Sequence, residues 1–184
     1  MRRTIFLLVI CILAMCVPAQ AEHLKFMGIP LTGTIAQFQQ KLAAKGIKYD
    51  KDISQQLPAG VRMFNGTFAG EKAQFYIYYD PSSKIVYKAK TVSGFPDANS
   101  CNTRYEELKS SLSTKYSEAE TETYYENGHE SFYYRLYDKG NPSGVICIYV
   151  SNNSYSYPFN HEVNIEYIDY VNYLKNDDSK MDDL

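Results

Sequence analysis

The sequence predicts an α+β fold of two tandem modules, each a helix followed by three antiparallel strands, with one extra strand near the C-terminus. Three observations predict it. Two capping-box starts each open an apolar stripe of helical period, and strand-like runs follow both in the same order. The composition also favours half-buried strands, with 18 Tyr and 9 Phe but no Trp.

The chain begins with a different kind of segment. Arg2 and Arg3 precede an apolar run from Ile5 to Val17, and Ala19-Gln20-Ala21 supplies a small-x-small cleavage site, so residues 1–21 read as a secretory signal peptide. The run falls short of the roughly 20 residues that a membrane-spanning helix needs, and no later segment qualifies, so no membrane span is expected. The expectation is cleavage after Ala21 and a secreted or periplasmic protein. Lipidation at Cys16 is the rival, but Met15 is a poor fit for the small residue that should precede a lipidated Cys.

Cleavage would remove Arg2 and Arg3 but no acid, leaving 17 basic against 21 acidic side chains and a net charge of −4. With no basic stripe anywhere, that balance argues against nucleic acid and against a polybasic membrane patch. The remaining 163 residues suffice for a real core.

The first module is expected over residues 22–96. The Gly and Pro residues of FMGIPLTGT block regular structure, and Thr34 to Gln37 then form a capping box. Ile35, Phe38 and Leu42 share one helical face, and Gly46 is a natural stop. Strands follow at Val61–Phe68, Glu71–Tyr79 and Ile85–Val92, with Asp80-Pro81-Ser82-Ser83 as a turn.

The second module is expected over residues 97–175. Thr103 to Glu106 offer another capping box, Tyr105, Leu108, Leu112 and Tyr116 continue a helical stripe, and strands fall at Thr121–Tyr125, Glu130–Tyr137 and Val145–Val150. GEKAQFYIYYD at Gly70–Asp80 matches GHESFYYRLYD at Gly128–Asp138, an internal repeat that suggests duplication. The run Glu162–Tyr173 adds the extra strand, with a phase change at Ile168 that suggests a bulge or burial on both faces. Residues 176–184 read as a disordered acidic tail, without the glycine-turned loop of a calcium site.

After cleavage, four Cys fall to two. In an oxidising compartment the default is a Cys101–Cys147 disulfide, worth about 4 kcal/mol by loop-closure arithmetic. A nucleophilic Cys would need a nearby His and an orienting group, and no such motif surrounds either residue.

Several stretches carry a resemblance: KFMGIPL (Lys25–Leu31), KLAAKG, GTFAG (Gly66–Gly70), FYIYYD and KIVYKAKTV (Lys84–Val92). Together they resemble a group of uncharacterised small secreted proteins of Bacteroides-type bacteria. The resemblance implies a periplasmic or extracellular place and supplies no catalytic residues. In architecture alone, tandem helix-plus-sheet modules are similar to the beta-lactamase inhibitor protein fold, whose concave sheet grips a partner protein. That likeness implies a binding role.

Catalytic machinery is sparse. His23, His129 and His161 fall in no metal-ligand spacing, and His129 and His161 read as surface-loop residues, so no metal or cofactor is expected. There is no nucleophile elbow and no phosphate-cradling glycine cluster. Glu118, Glu120, Glu122, Glu126 and Glu130 read as solvated strand and turn charges.

The local oddity is Phe132-Tyr133-Tyr134-Arg135-Leu136-Tyr137. Alternation puts Phe132, Tyr134 and Leu136 on the core face, leaving Tyr133, Arg135 and Tyr137 as a ladder suited to protein or glycan recognition. Cross-strand pairing that merely covers the sheet is the plainer reading. Carried over at the repeat offset, the outer face of the first module would bear Phe75, Ile77 and Tyr79. The expected function is therefore an exported, non-enzymatic binding protein with a protein or glycan ligand. The competing expectation is an envelope hydrolase or an inhibitor-like regulator of an envelope enzyme.

Overall fold

The computed structural model describes residues 22–126, 129–152 and 160–181. Residues 1–21, expected as a signal peptide, lie outside the described residues, as do Asn127-Gly128 and the end of the acidic tail. A small hairpin, β1 (Lys25–Phe26) and β2 (Ile29–Pro30), precedes α1 (Ile35–Ala43), β3 (Lys48–Asp50), the single turn α2 (Lys51–Ser54), β4 (Val61–Phe68), β5 (Glu71–Tyr79) and β6 (Val86–Phe95). Then come α3 (Ala98–Lys115), β7 (Glu120–Glu126), β8 (His129–Asp138), β9 (Asn141–Asn152), β10 (His161–Asp169) and α4 (Tyr170–Met181).

The α+β class holds, and the main sheet is antiparallel throughout. Its eight strands run β3-β4-β5-β6-β10-β9-β8-β7. Each half is a meander that starts at an outer edge and ends at the centre, where β6 pairs with β10 from His161↔Phe95 to Ile168↔Lys88. The strand expected as an addition is thus the central partner of β6, and each half carries four strands once the three-residue β3 is counted. The two matched motifs fall on β5 and β8, the third strand of one half and the second of the other, so they do not occupy equivalent places.

That mismatch corrects one expectation outright. Phe75 and Ile77 are fully buried on the face that the helices cover, and Tyr76 and Tyr78 point the other way. The repeat offset carried the pleat phase of β8 onto a strand with a different neighbourhood.

The helices form where their stripes dictate. Thr34 closes a capping box with Gln37, and Ile35, Phe38 and Leu42 are buried. In α3 the buried residues are Cys101, Tyr105, Leu108 and Leu112, but the helix starts earlier than Thr103. Asp97 is its cap, accepting from the Ser100 amide at 2.9 Å and the Ser100 hydroxyl at 2.8 Å. The Asp cap lies just after Pro96, before the apolar stripe begins.

Both helices and the β1–β2 hairpin lie on one face of the sheet. Phe26 has no exposed surface and sits 5.2 Å from Tyr167, 6.1 Å from Phe75 and 6.3 Å from Phe68, ring to ring. Sheet residues of the same pleat phase complete the core, including Phe64, Phe75, Ile77, Tyr134, Ile146, Ile148, Ile165 and Tyr167.

At the C-terminal end the phase change is a strand-to-helix junction, not a bulge. The fully buried Asp169 ends β10 and caps α4 by accepting from the Asn172 amide at 3.0 Å. Its other oxygen accepts from the Leu24 amide at 2.8 Å, and the His23 ring lies at 3.1 Å, so one carboxylate ties the start of the described chain to its last helix. The helix continues to Met181, through the first part of the tail that composition marks as disordered.

Cys101 and Cys147 are both buried free thiols, which corrects the expected disulfide. The reason is pleat phase. Cys101 faces the core from α3, whereas Cys147 alternates with the core residues Ile146 and Ile148 and therefore lies across the sheet from it. Burial pushes each thiol up to about 11, so both stay protonated near neutral pH. Thiol labelling of residues 22–184, denatured without reductant, should find two reactive cysteines. Finding none would mean that the sheet and helix are arranged differently.

Candidate functional site

With α1, α3 and the hairpin on one side, every second residue of each strand faces the other way. Among the described residues this second face is open over its tyrosines and charged groups, while Met63, Val145, Cys147 and Asn164 within it are buried. The register defines it row by row. One row crosses all eight strands as Glu122, Tyr133, Cys147, Glu166, Lys90, Tyr76, Met63 and Asp50. The rows on either side add Tyr124, Ser131, Tyr149, Asn164, Val92 and Gln74, and Glu120, Arg135, Val145, Ile168, Lys88 and Tyr78.

Charged groups meet at the centre, where β6 faces β10. Glu166 holds Lys88 at 2.7 Å and Lys90 at 3.5 Å. Lys90 donates to the Tyr149 hydroxyl at 2.8 Å, and Tyr149 donates to Glu166 at 3.0 Å, closing the network. The ammonium groups also lie over rings, Lys88 4.9 Å from the Tyr78 centroid and Lys90 5.3 Å from that of Tyr149. Burial pushes the Glu166 carboxyl up, but the Lys88 hydrogen bond, the two lysine charges and the Tyr149 hydroxyl outweigh it and hold the group below its ordinary range. Burial and the Glu166 charge push the Tyr78 phenol up to about 12 and raise that of Tyr149 as well.

Beside this network the face sinks into a depression of about 350 Å³ lined by Gln74, Tyr76, Tyr78, Lys90, Val92, Tyr149, Ser151, Glu162 and Asn164. Its lining is hydrogen-bonded within itself. Asn164, only 1% exposed, donates to the Ser151 hydroxyl at 2.8 Å, Ser151 donates to Glu162 at 3.3 Å, and Tyr76 donates to Gln74 at 3.1 Å.

Tyr133 and Arg135 lie on this open face, as alternation predicts, while Phe132, Tyr134 and Leu136 pack toward the core. Tyr133 sits opposite Cys147 and diagonal to Tyr149, and meets the Tyr124 ring edge-on at 5.2 Å. Arg135, 40% exposed, donates to Glu122 at 2.6 and 3.1 Å. Tyr137 lies beyond an irregularity in the β8–β9 register, is 45% exposed, and donates to Glu120 at 2.8 Å. The three residues therefore share an acidic neighbour strand and do not line the depression; Tyr137 instead lines a separate one with Glu22, Lys115, Leu136 and Asp138.

The glutamates are more than solvated charges. Glu120 and Glu122 hold the ladder, and Glu130 accepts from Tyr105 at 2.8 Å, Lys109 at 2.6 Å and Tyr125 at 3.2 Å, tying α3 to β8. His161 opens β10 and is not a loop residue; its ring lies 2.9 Å from Asn152 Oδ1. Among the described residues no group of three or more His, Cys, Asp or Glu side chains is placed to hold a metal ion, and no helix is long and apolar enough to cross a membrane.

Sequence reasoning missed Lys88, Lys90, Tyr149 and Glu166 because they converge only through the β6–β10 and β9–β10 pairings. The sole local signal is the Lys-x-Lys alternation of β6, which looks like an ordinary solvated strand face. Compared with known protein families, curated proteins and solved structures, the chain finds no match.

Glu166→Gln should lower stability at pH 7 by about 2 kcal/mol, because two part-buried ammonium groups lose their counter-ion. A depressed carboxylate stabilises above its unfolded value, here near 4.5, and the contribution is lost as pH falls through the folded value. Urea titrations should therefore show a gap between wild type and variant that is constant above about pH 5 and shrinks in acid. A gap unchanged down to pH 3 would mean that Glu166 does not bear the charge.

Proposed function

We propose that this is an exported, non-enzymatic binding protein that takes a protein or glycan ligand on the open face of its sheet. The observation that carries the reading is the division of the sheet into one face buried under helices and hairpin and a second face on which Tyr76, Tyr78, Tyr124, Tyr133 and Tyr149 are only partly buried or exposed among the described residues. Tyrosine offers a large amphipathic contact for the loss of only two side-chain torsions, which suits a recognition surface. Tyr133, Arg135 and Tyr137 form its outer part on this reading, prearranged by Glu120 and Glu122. The resemblance of several stretches to secreted Bacteroides-type proteins supports export.

One further observation favours processing after Ala21. The main-chain nitrogen of Glu22 donates to Asp138 Oδ2 at 3.1 Å, so cleavage would set the new α-ammonium against a carboxylate. Intact mass and N-terminal sequencing of the exported protein should find Glu22 first. A lipid-modified chain beginning at Cys16 would overturn the free-export reading.

The binding reading is tested by capture from envelope extracts and by glycan arrays, using the mature protein and its Tyr133→Ala/Arg135→Ala/Tyr137→Ala variant. The triple change should weaken binding by at least about 2 kcal/mol with little change in melting temperature. Undiminished binding, or a variant that does not fold, would make these residues structural sheet cover.

A further inference from the structure

We infer that the depression on the open face is a subsite for a neutral carbohydrate, read by Tyr76, Tyr78 and Tyr149 and by the side chains of Gln74 and Ser151. The inference rests on the binding role proposed for this face and narrows it to one class of ligand.

Charge decides the class. Lys88 and Lys90 are both held by Glu166, and Lys90 spends a further N–H on Tyr149. A phosphate, sulfate or carboxylate ligand would have to pull these ammonium groups from a part-buried counter-ion, which costs more than a solvent-exposed exchange. A cationic ligand meets the same two lysines. Across Lys88, Lys90, Glu162 and Glu166 the formal charges cancel, so the site offers no net field to an ion.

What the site does offer is neutral polarity next to aromatic surface. Gln74 presents its amide and Ser151 its hydroxyl oxygen to the depression, with Asn164 buried behind them and donating to Ser151, and such neutral donors and acceptors suit a polyol. The rings of Tyr76, Tyr78 and Tyr149 supply flat apolar area of the kind against which the C–H face of a sugar packs. Burial raises all three phenols, so they stay uncharged at physiological pH, with the Tyr76 and Tyr149 protons already given to Gln74 and Glu166. Val92 is the one aliphatic side chain in the lining, which leaves no pocket for the apolar anchor of a peptide. The volume of about 350 Å³ falls at the lower end of small-molecule sites.

Affinity gel electrophoresis and calorimetry of the mature protein against neutral polysaccharides (a β-glucan, a xylan, a mannan, starch) and acidic ones (polygalacturonate, chondroitin sulfate) test the inference. At least one neutral polymer should retard the protein, with affinity unchanged between about 0.05 and 0.5 M salt, and the acidic ones should not. Tyr76→Ala and Gln74→Ala should each weaken that binding about tenfold. Tyr125→Ala, at a residue 75% exposed and outside the depression, should leave it unchanged.

Binding confined to acidic polymers, binding to none of the panel, or full affinity in Tyr76→Ala would each overturn the inference. The two readings fail separately. If no polysaccharide binds but the Tyr133/Arg135/Tyr137 triple variant loses capture of an envelope protein, the binding face stands and the ligand class falls. If neither polysaccharide nor envelope protein is bound, both fall.

Discussion

The antiparallel pairing of β6 with β10 is the constraint on which the rest of the molecule depends. Without it the chain is two four-stranded meanders, each with a helix on one side. With it, the pleat phases of both halves are locked together across eight residue pairs, so α1, α3 and the β1–β2 hairpin bury apolar side chains on the same face. A slip of one residue would send Ile165 and Tyr167 to the open face and bring Glu166 into the core. Hydrophobic burial therefore selects the register, and the register builds the site.

The same pairing sets Lys88 and Lys90 of β6 against Glu166 of β10. Their mutual neutralisation has two consequences. It makes a part-buried cluster of three charges tolerable, since each ion is satisfied by another. It also leaves the adjoining depression with hydroxyls, amides and rings as its working groups. Structure and proposed specificity thus share one origin, the arrangement of charge along the central strands. The acidic strand β7 plays a comparable part at the margin, where Glu120 and Glu122 hold Tyr137 and Arg135 in place.

How much of this was legible depends on how local its cause is. The bounds of β4 and β5 can be read directly, because glycine and turn residues bracket alternating apolar runs. The Thr34 capping box and the buried stripes of α1 and α3 are equally local. The start of α3 was hidden because Asp97 caps a first turn, Asn99-Ser100, that has no apolar period. The helix α4 was hidden because its composition resembles a tail, and its anchor Asp169 depends on contacts with His23 and Leu24 at the other end of the chain. For the site, the phase of Tyr133 and Arg135 follows from alternation, but the central cluster follows from strand order, which one sequence does not reveal. The repeated motif misled on this point, since it joined β5 to β8 and so placed Phe75 and Ile77 on the wrong face.

The account's central claim is a single continuous sheet whose open face is organised at the β6–β10 seam. Backbone NOEs in the isotope-labelled protein test it most directly. The account predicts cross-strand contacts that link Lys90 with Glu166 and Val92 with Asn164, and slow amide exchange along both strands. Absent NOEs between residues 88–95 and 161–168, with fast exchange on both strands, would contradict it and leave two separate sheets with no shared face.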